Sequence, residues 1–120
     1  MADNKPLGLA AKRREHRKAL KASVARIVNK LSALNVHRVG LFGSYASGKT
    51  DLFTDLDILV IMDTDKPFLD RLTELYSLLA LPVDVDILCY TPQEFDRLKH
   101  KPFFKRILAE EVVLYEKKPD

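Results

Sequence analysis

Gly43-Ser44-Tyr45-Ala46-Ser47-Gly48-Lys49-Thr50-Asp51-Leu52-Phe53-Thr54-Asp55-Leu56-Asp57 is the stretch on which the fold of this 120-residue chain turns. Its first eight residues match the phosphate-loop pattern G-x-x-x-x-G-K-[ST], and the apolar segment Val36 to Phe42 before them reads as the strand such a loop follows. Geometry opposes that match. A phosphate loop opens a helix, and the crossover back to a parallel strand takes a dozen or more residues. Only the residues Asp51 to Asp57 separate Thr50 from the apolar run that begins at Ile58. A phosphate-loop NTPase is therefore kept as the weaker alternative.

The second reading uses the same Gly-Ser turn and continues to Asp55-Leu56-Asp57. Strand side chains alternate faces, so Asp55 and Asp57 point one way while Leu56, Ile58, Val60 and Met62 pack behind. The run from Val83 to Tyr90 repeats the pattern, with Asp84, Asp86 and Leu88 on one face and Val83, Val85, Ile87 and Cys89 on the other. If the two strands are neighbours, at least three carboxylates converge. At about 5 Å and an effective dielectric of about 20, each pair repels by roughly 3 kcal/mol. Divalent cations remove that repulsion, and hard oxygen ligands beside a phosphate-binding turn point to Mg²⁺.

Outward from this centre the apolar periods set the elements. Leu20, Val24, Ile27, Leu31 and Leu34 fall at helical spacing and predict one long helix from Ala10 to about Leu34, after a flexible tail over residues 1–9. Asp55 to Met62 is the second strand. Pro67 starts a helix that carries Phe68, Leu72, Leu75 and Leu79. Val83 to Tyr90 is a third strand, and Thr91-Pro92-Gln93-Glu94 is a capping box opening a short helix to about Lys99. A further helix follows Pro102, and Val112 to Tyr115 is an edge strand. Residues 10–120 are read as one α+β domain, a small mixed sheet flanked by helices.

Composition bounds the function. The apolar share is 47% and no apolar run is long enough to cross a bilayer, so a cytoplasmic protein is expected, in keeping with the single cysteine, Cys89. Residues 1–38 hold ten Lys or Arg against Asp3 and Glu15, a balance of +8, and the other 82 residues carry ten against fifteen, −5. A basic segment on an acidic body fits nucleic acid, an acidic partner or a solvated helix face; without interleaved aromatics, nucleic acid is the less favoured partner. His16, His37 and His100 have no ligand spacing and read as surface or cap residues.

Gly43-Ser44, the Asp55-x-Asp57 pair after ten intervening residues, the apolar strand behind it and Asp86 on a later strand resemble the DNA polymerase beta-type nucleotidyltransferase superfamily, specifically its minimal nucleotidyltransferases. The likeness runs from about Val36 to Tyr90, and Val85 to Phe95 is similar to a segment common in that family. It implies the nucleotidyltransferase fold, ATP or another NTP as substrate, and two Mg²⁺ ions. By that implication Asp55 and Asp57 bridge both metals, Asp86 joins the one that activates the attacking hydroxyl, and Gly43 and Ser44 hold the triphosphate. Thr54 stands where Ser is usual, and Ser47 where Arg is frequent, which shifts phosphate neutralisation to Lys49. Asp84 is an extra carboxylate, leaving the third ligand between Asp84 and Asp86. The resemblance further implies an antitoxin-like protein that attaches AMP to a hydroxyl of a HEPN-domain partner. The alternative is a catalytically weak fold acting on that partner by contact alone. Self-association is left open.

Overall fold

The apolar stripe of the first helix decides where everything else packs. In the computed structural model, which describes residues 8–119, α1 spans Leu9–Leu31 and buries Leu20, Ser23, Ile27 and Leu31. The tail expected over 1–9 falls mostly on residues 1–7, which lie outside the described residues. The helix ends three residues before the expected Leu34, whose backbone N–H bonds to the Leu31 carbonyl at 3.1 Å and whose side chain is exposed. The buried stripe ends at Leu31, and the helix ends with it.

The remaining elements are β1 (Val36–Phe42), α2 (Gly43–Ala46), β2 (Leu56–Met62), α3 (Phe68–Leu79), β3 (Val85–Tyr90), α4 (Pro92–Leu98), α5 (Pro102–Glu110) and β4 (Val112–Glu116). The sheet order is β3-β2-β1-β4, with β1 antiparallel to both β2 and β4, and β2 parallel to β3. This is the mixed sheet expected. Helix α3 makes the crossover that a parallel pair requires. Residues Asp55 and Val83-Asp84, read as strand, stand just outside β2 and β3.

Strand β2 is central and is buried on both faces. Leu56, Ile58 and Val60 pack with Leu20, Ile27 and Leu31 of α1, Leu75 and Leu79 of α3, and Ile87 and Cys89 of β3. Cys89 thus lies in the core, as expected. On the opposite face Leu59 and Ile61 meet Phe104 and Ile107 of α5. Burying a side chain of this kind contributes about 1.5–3 kcal/mol, so β2 anchors the fold. It also carries Asp57 at the sheet end where the chain leaves β1. Because α1 returns into β1 through a short turn, the beginning of α1 stands at that same end.

Helix α4 begins as its sequence signature requires. Thr91 Oγ1 accepts from the Glu94 amide at 3.2 Å and Glu94 Oε1 accepts from the Thr91 amide at 2.8 Å, with Pro92 in the first turn. The same Glu94 receives Arg71 of α3, at 2.6 Å from Nη1 and 3.2 Å from Nη2. Arg71 is buried, and also donates to the carbonyls of Lys66 and Cys89. It ties α3, β3 and α4 together.

Candidate active site

The turn leaving β1 is possible only with glycine. Gly43 has φ +77°, and a Cβ there would collide with the Asp57 carboxylate. Helix α2 is a single turn, closed by the Ser47 amide on the Gly43 carbonyl at 3.2 Å and the Lys49 amide on the Ser44 carbonyl at 3.0 Å. Gly48, φ +85°, then reverses the chain. Four helical residues between antiparallel strands leave no place for a phosphate-loop crossover, so that alternative is discarded.

Residues 49–54 form a second, internally bonded turn. The Asp51 amide donates to Thr54 Oγ1 and the Phe53 amide to Asp51 Oδ1, each at 2.8 Å, while Thr54 Oγ1 donates to the Lys49 carbonyl at 3.3 Å. His16 of α1 holds the turn from outside, its Nε2 donating to the Thr54 carbonyl at 2.8 Å. Thr54 is buried at this hub. Its hydroxyl does a structural task, which accounts for a hydroxyl residue at this position.

Asp55 follows directly, exposed, and Asp57 is half-buried beside Asp86, its register partner across the parallel pair of β2 and β3. An open cleft of about 480 Å³ is lined by Ser44, Lys49, Asp51, Asp55, Asp57 and Asp86, with Phe53 and Thr54 on its wall. Asp84 lies outside that lining. It faces a neighbouring cavity of about 420 Å³, bounded by Tyr76 and Leu79 of α3, which shares Asp55 and Asp86 with the first. The structure therefore gathers Ser44, Lys49, Asp55, Asp57 and Asp86 on one cleft, with Gly43 against Asp57, and sets Asp84 to the side.

Electrostatics single out Asp57. Burial raises its carboxyl above the ordinary aspartate range, and the negative charges of Asp86 and then Asp55 raise it further. Among the described residues no ion pair neutralises any of the three. Nor are three or more His, Cys, Asp or Glu side chains there already drawn together as a metal-holding group. The sequence reading missed Phe53, 87% exposed at the rim, and the His16 anchor. The Asp51-to-Thr54 spacing was the available signal for the turn that presents Phe53.

Residues 22–120 match the family described as nucleotidyltransferase domain. Solved structures share the fold. A Sulfolobus solfataricus protein described as a candidate nucleotidyltransferase is 20% identical, with a TM-score of 0.54 over 97% of this chain and 94% of its own. A chain of a toxin–antitoxin pair with AMP-PNP is 20% identical, with a TM-score of 0.56 over 79% of this chain and 74% of its own. A chain of a point mutant of the toxin–antitoxin pair MntA–HpeT is also 20% identical, at a TM-score of 0.53 over 82% and 73%. No curated protein matches the chain.

Proposed function

The chain belongs to the nucleotidyltransferase domain family, and from that membership we propose that it transfers a nucleoside monophosphate, AMP for preference, from an NTP to a hydroxyl of a partner protein. The observation that carries the reading is the set of uncompensated carboxylates Asp55, Asp57 and Asp86 on one cleft with Ser44 and Lys49. Toxin–antitoxin complexes that share the fold, one of them with AMP-PNP, support a protein partner and a nucleotide. The family resemblance points to a HEPN-domain partner.

The acceptor hydroxyl attacks the α-phosphorus in line. Its oxygen bonds to phosphorus as the bond to the β-phosphate oxygen breaks, pyrophosphate leaves, and the hydroxyl proton passes to the carboxylate cluster. Gly43 lets the backbone approach the phosphates and Ser44 and Lys49 contact them, Lys49 as an exposed point charge. Asp86 stands on the acceptor side. The donors fit a hard divalent cation, since Asp55, Asp57 and Asp86 offer only carboxylate oxygens and repel one another without one. Mg²⁺ held by Asp55 and Asp57, with Asp86 on one of two ions, would supply charge neutralisation at the entering and leaving oxygens.

Incubation with α-labelled ATP, Mg²⁺ and a co-purified partner tests this. Label should move to the partner with the wild type, and neither with Asp57→Asn nor after chelation. Partner neutralisation without label in any of these would select the contact-only module.

A further inference from the structure

The part of α1 that stands beyond the sheet carries positive charge that nothing in the described chain answers. From Gly8 to Lys18 only Ala11 and His16 are even half-buried. At 3.6 residues per turn, Leu9 and Arg13 lie on the same line as Leu20, Ile27 and Leu31, yet both are exposed, because the sheet they would cover has ended. Arg13, Arg17 and Lys21 follow one another at i, i+4 and i+8, with Arg14 and Lys18 in the adjacent row. Glu15 lies across the helix from the Arg13, Arg17 and Lys21 row and three residues before Lys18, with which it makes no ion pair. Like charges at this spacing weaken a helix, and none of the five is paired with a carboxylate among the described residues. The basic residues farther along α1 differ: Arg26 and Lys30 donate to the Leu79 and Leu78 carbonyls at 2.7 and 3.0 Å.

The turns that carry this stripe stand beside the cleft. His16, on the same turns, bonds the carbonyl of Thr54, the residue before Asp55, and Phe53 projects from that turn. We infer that the projecting turns of α1, with Phe53 at their foot, are the docking surface for an acidic patch on the protein that carries the acceptor hydroxyl. This rests on the partner-protein reading above. A nucleic acid fits less well, since its charge is continuous and the turn that His16 bonds carries Asp51 and leads into Asp55. A folded acidic patch is bounded: it meets the cations and sets a neutral hydroxyl over the carboxylates. The stripe has no aromatic for base stacking, whereas one exposed ring beside a charged rim is the usual anchor of a protein interface.

The test uses a fluorescent poly-glutamate peptide with a central tyrosine, its poly-glutamine counterpart, and a single-stranded RNA of equal charge, read by anisotropy. Wild type should bind the glutamate peptide in a salt-dependent way and the glutamine peptide not at all. Affinity should fall about tenfold or more in Arg13→Glu/Arg17→Glu/Lys21→Glu and about as far in the triple Gln variant, which guards against a folding defect. Thermal stabilisation by Mg²⁺-ATP should be unchanged in both. Equal peptide binding by wild type and variants, or tighter binding of the RNA than of the glutamate peptide, overturns the inference. Loss of Mg²⁺-ATP stabilisation in wild type with the peptide result intact supports the docking surface and overturns the transferase reading instead.

Discussion

Two carboxylates beside β3 meet opposite environments. Glu94 accepts from both terminal nitrogens of Arg71 and from the Thr91 amide, and these bonds, Arg71 first, hold its carboxyl down at about 2. Asp57 has burial and two like charges around it, and its carboxyl is pushed up. The first group is paired with Arg71; the second has no ion pair among the described residues. A folded protein retains such repulsion where a ligand removes it, so the contrast separates a structural acid from a functional one.

The sharpest break in that contrast comes from transfer rates. Asp57→Asn should lower nucleotidyl transfer by about a hundredfold or more while leaving the metal-free fold at least as stable. A radiolabel assay beside thermal melts checks both halves. Asp86→Asn should also reduce transfer by about a hundredfold, and Asp84→Asn, off the cleft, by less than about tenfold. A dead Asp84 variant with a near-normal Asp86 variant would exchange their roles.

The structural acid should fail differently. Arg71→Met leaves Glu94 without its cation and should destabilise the protein by about 2–3 kcal/mol in urea titration, with Mg²⁺-ATP affinity kept. If Arg71→Met spares stability and Asp57→Asn abolishes it, the two acids have been assigned the wrong way round.

A smaller effect lies in the acid limb. The folded carboxyl of Glu94 sits at about 2, below the unfolded value of about 4.3, so its stabilisation is present above that unfolded value and is lost as pH falls from about 4.3 to about 2. Allowing for solvent screening, Glu94→Gln should remove on the order of 1–2 kcal/mol at neutral pH and flatten that limb. Asp57 has the opposite sign. Its folded value is raised, so its ionisation costs stability as pH rises through that value, and Asp57→Asn should gain less than about 1 kcal/mol at neutral pH.

Legibility in the sequence followed the range of the interactions. The capping box at Thr91 and the helical stripe of α1 as far as Leu31 are local patterns, and each is where its spacing puts it, while of the Asp55/Asp57 pair only Asp57 lies within β2. The mixed sheet with an edge β4 followed from the order of elements. Nothing in the sequence pattern marked Arg71, because its partner Glu94 lies 23 residues away and only the crossover brings them together. The same holds for Glu111, whose side chain pairs with Arg38 and lies across Gly40. Asp84 and Asp86 share a face in an ideal strand, and only the register of β3 shows that Asp86 is the one set beside Asp57. The end of α1 was misjudged because Leu34 continues the apolar spacing after the helix has stopped.

The central claim is that Asp57 is left unneutralised because a metal–nucleotide complex completes its surroundings. A thermal-shift titration with Mg²⁺-ATP, run on wild type and Asp57→Asn, measures this directly. At about a hundred times the dissociation constant, bound ligand should stabilise wild type by about 2.7 kcal/mol, a rise of several degrees in Tm, with no rise in Asp57→Asn. Equal stabilisation of both proteins, or none in wild type, would contradict the account.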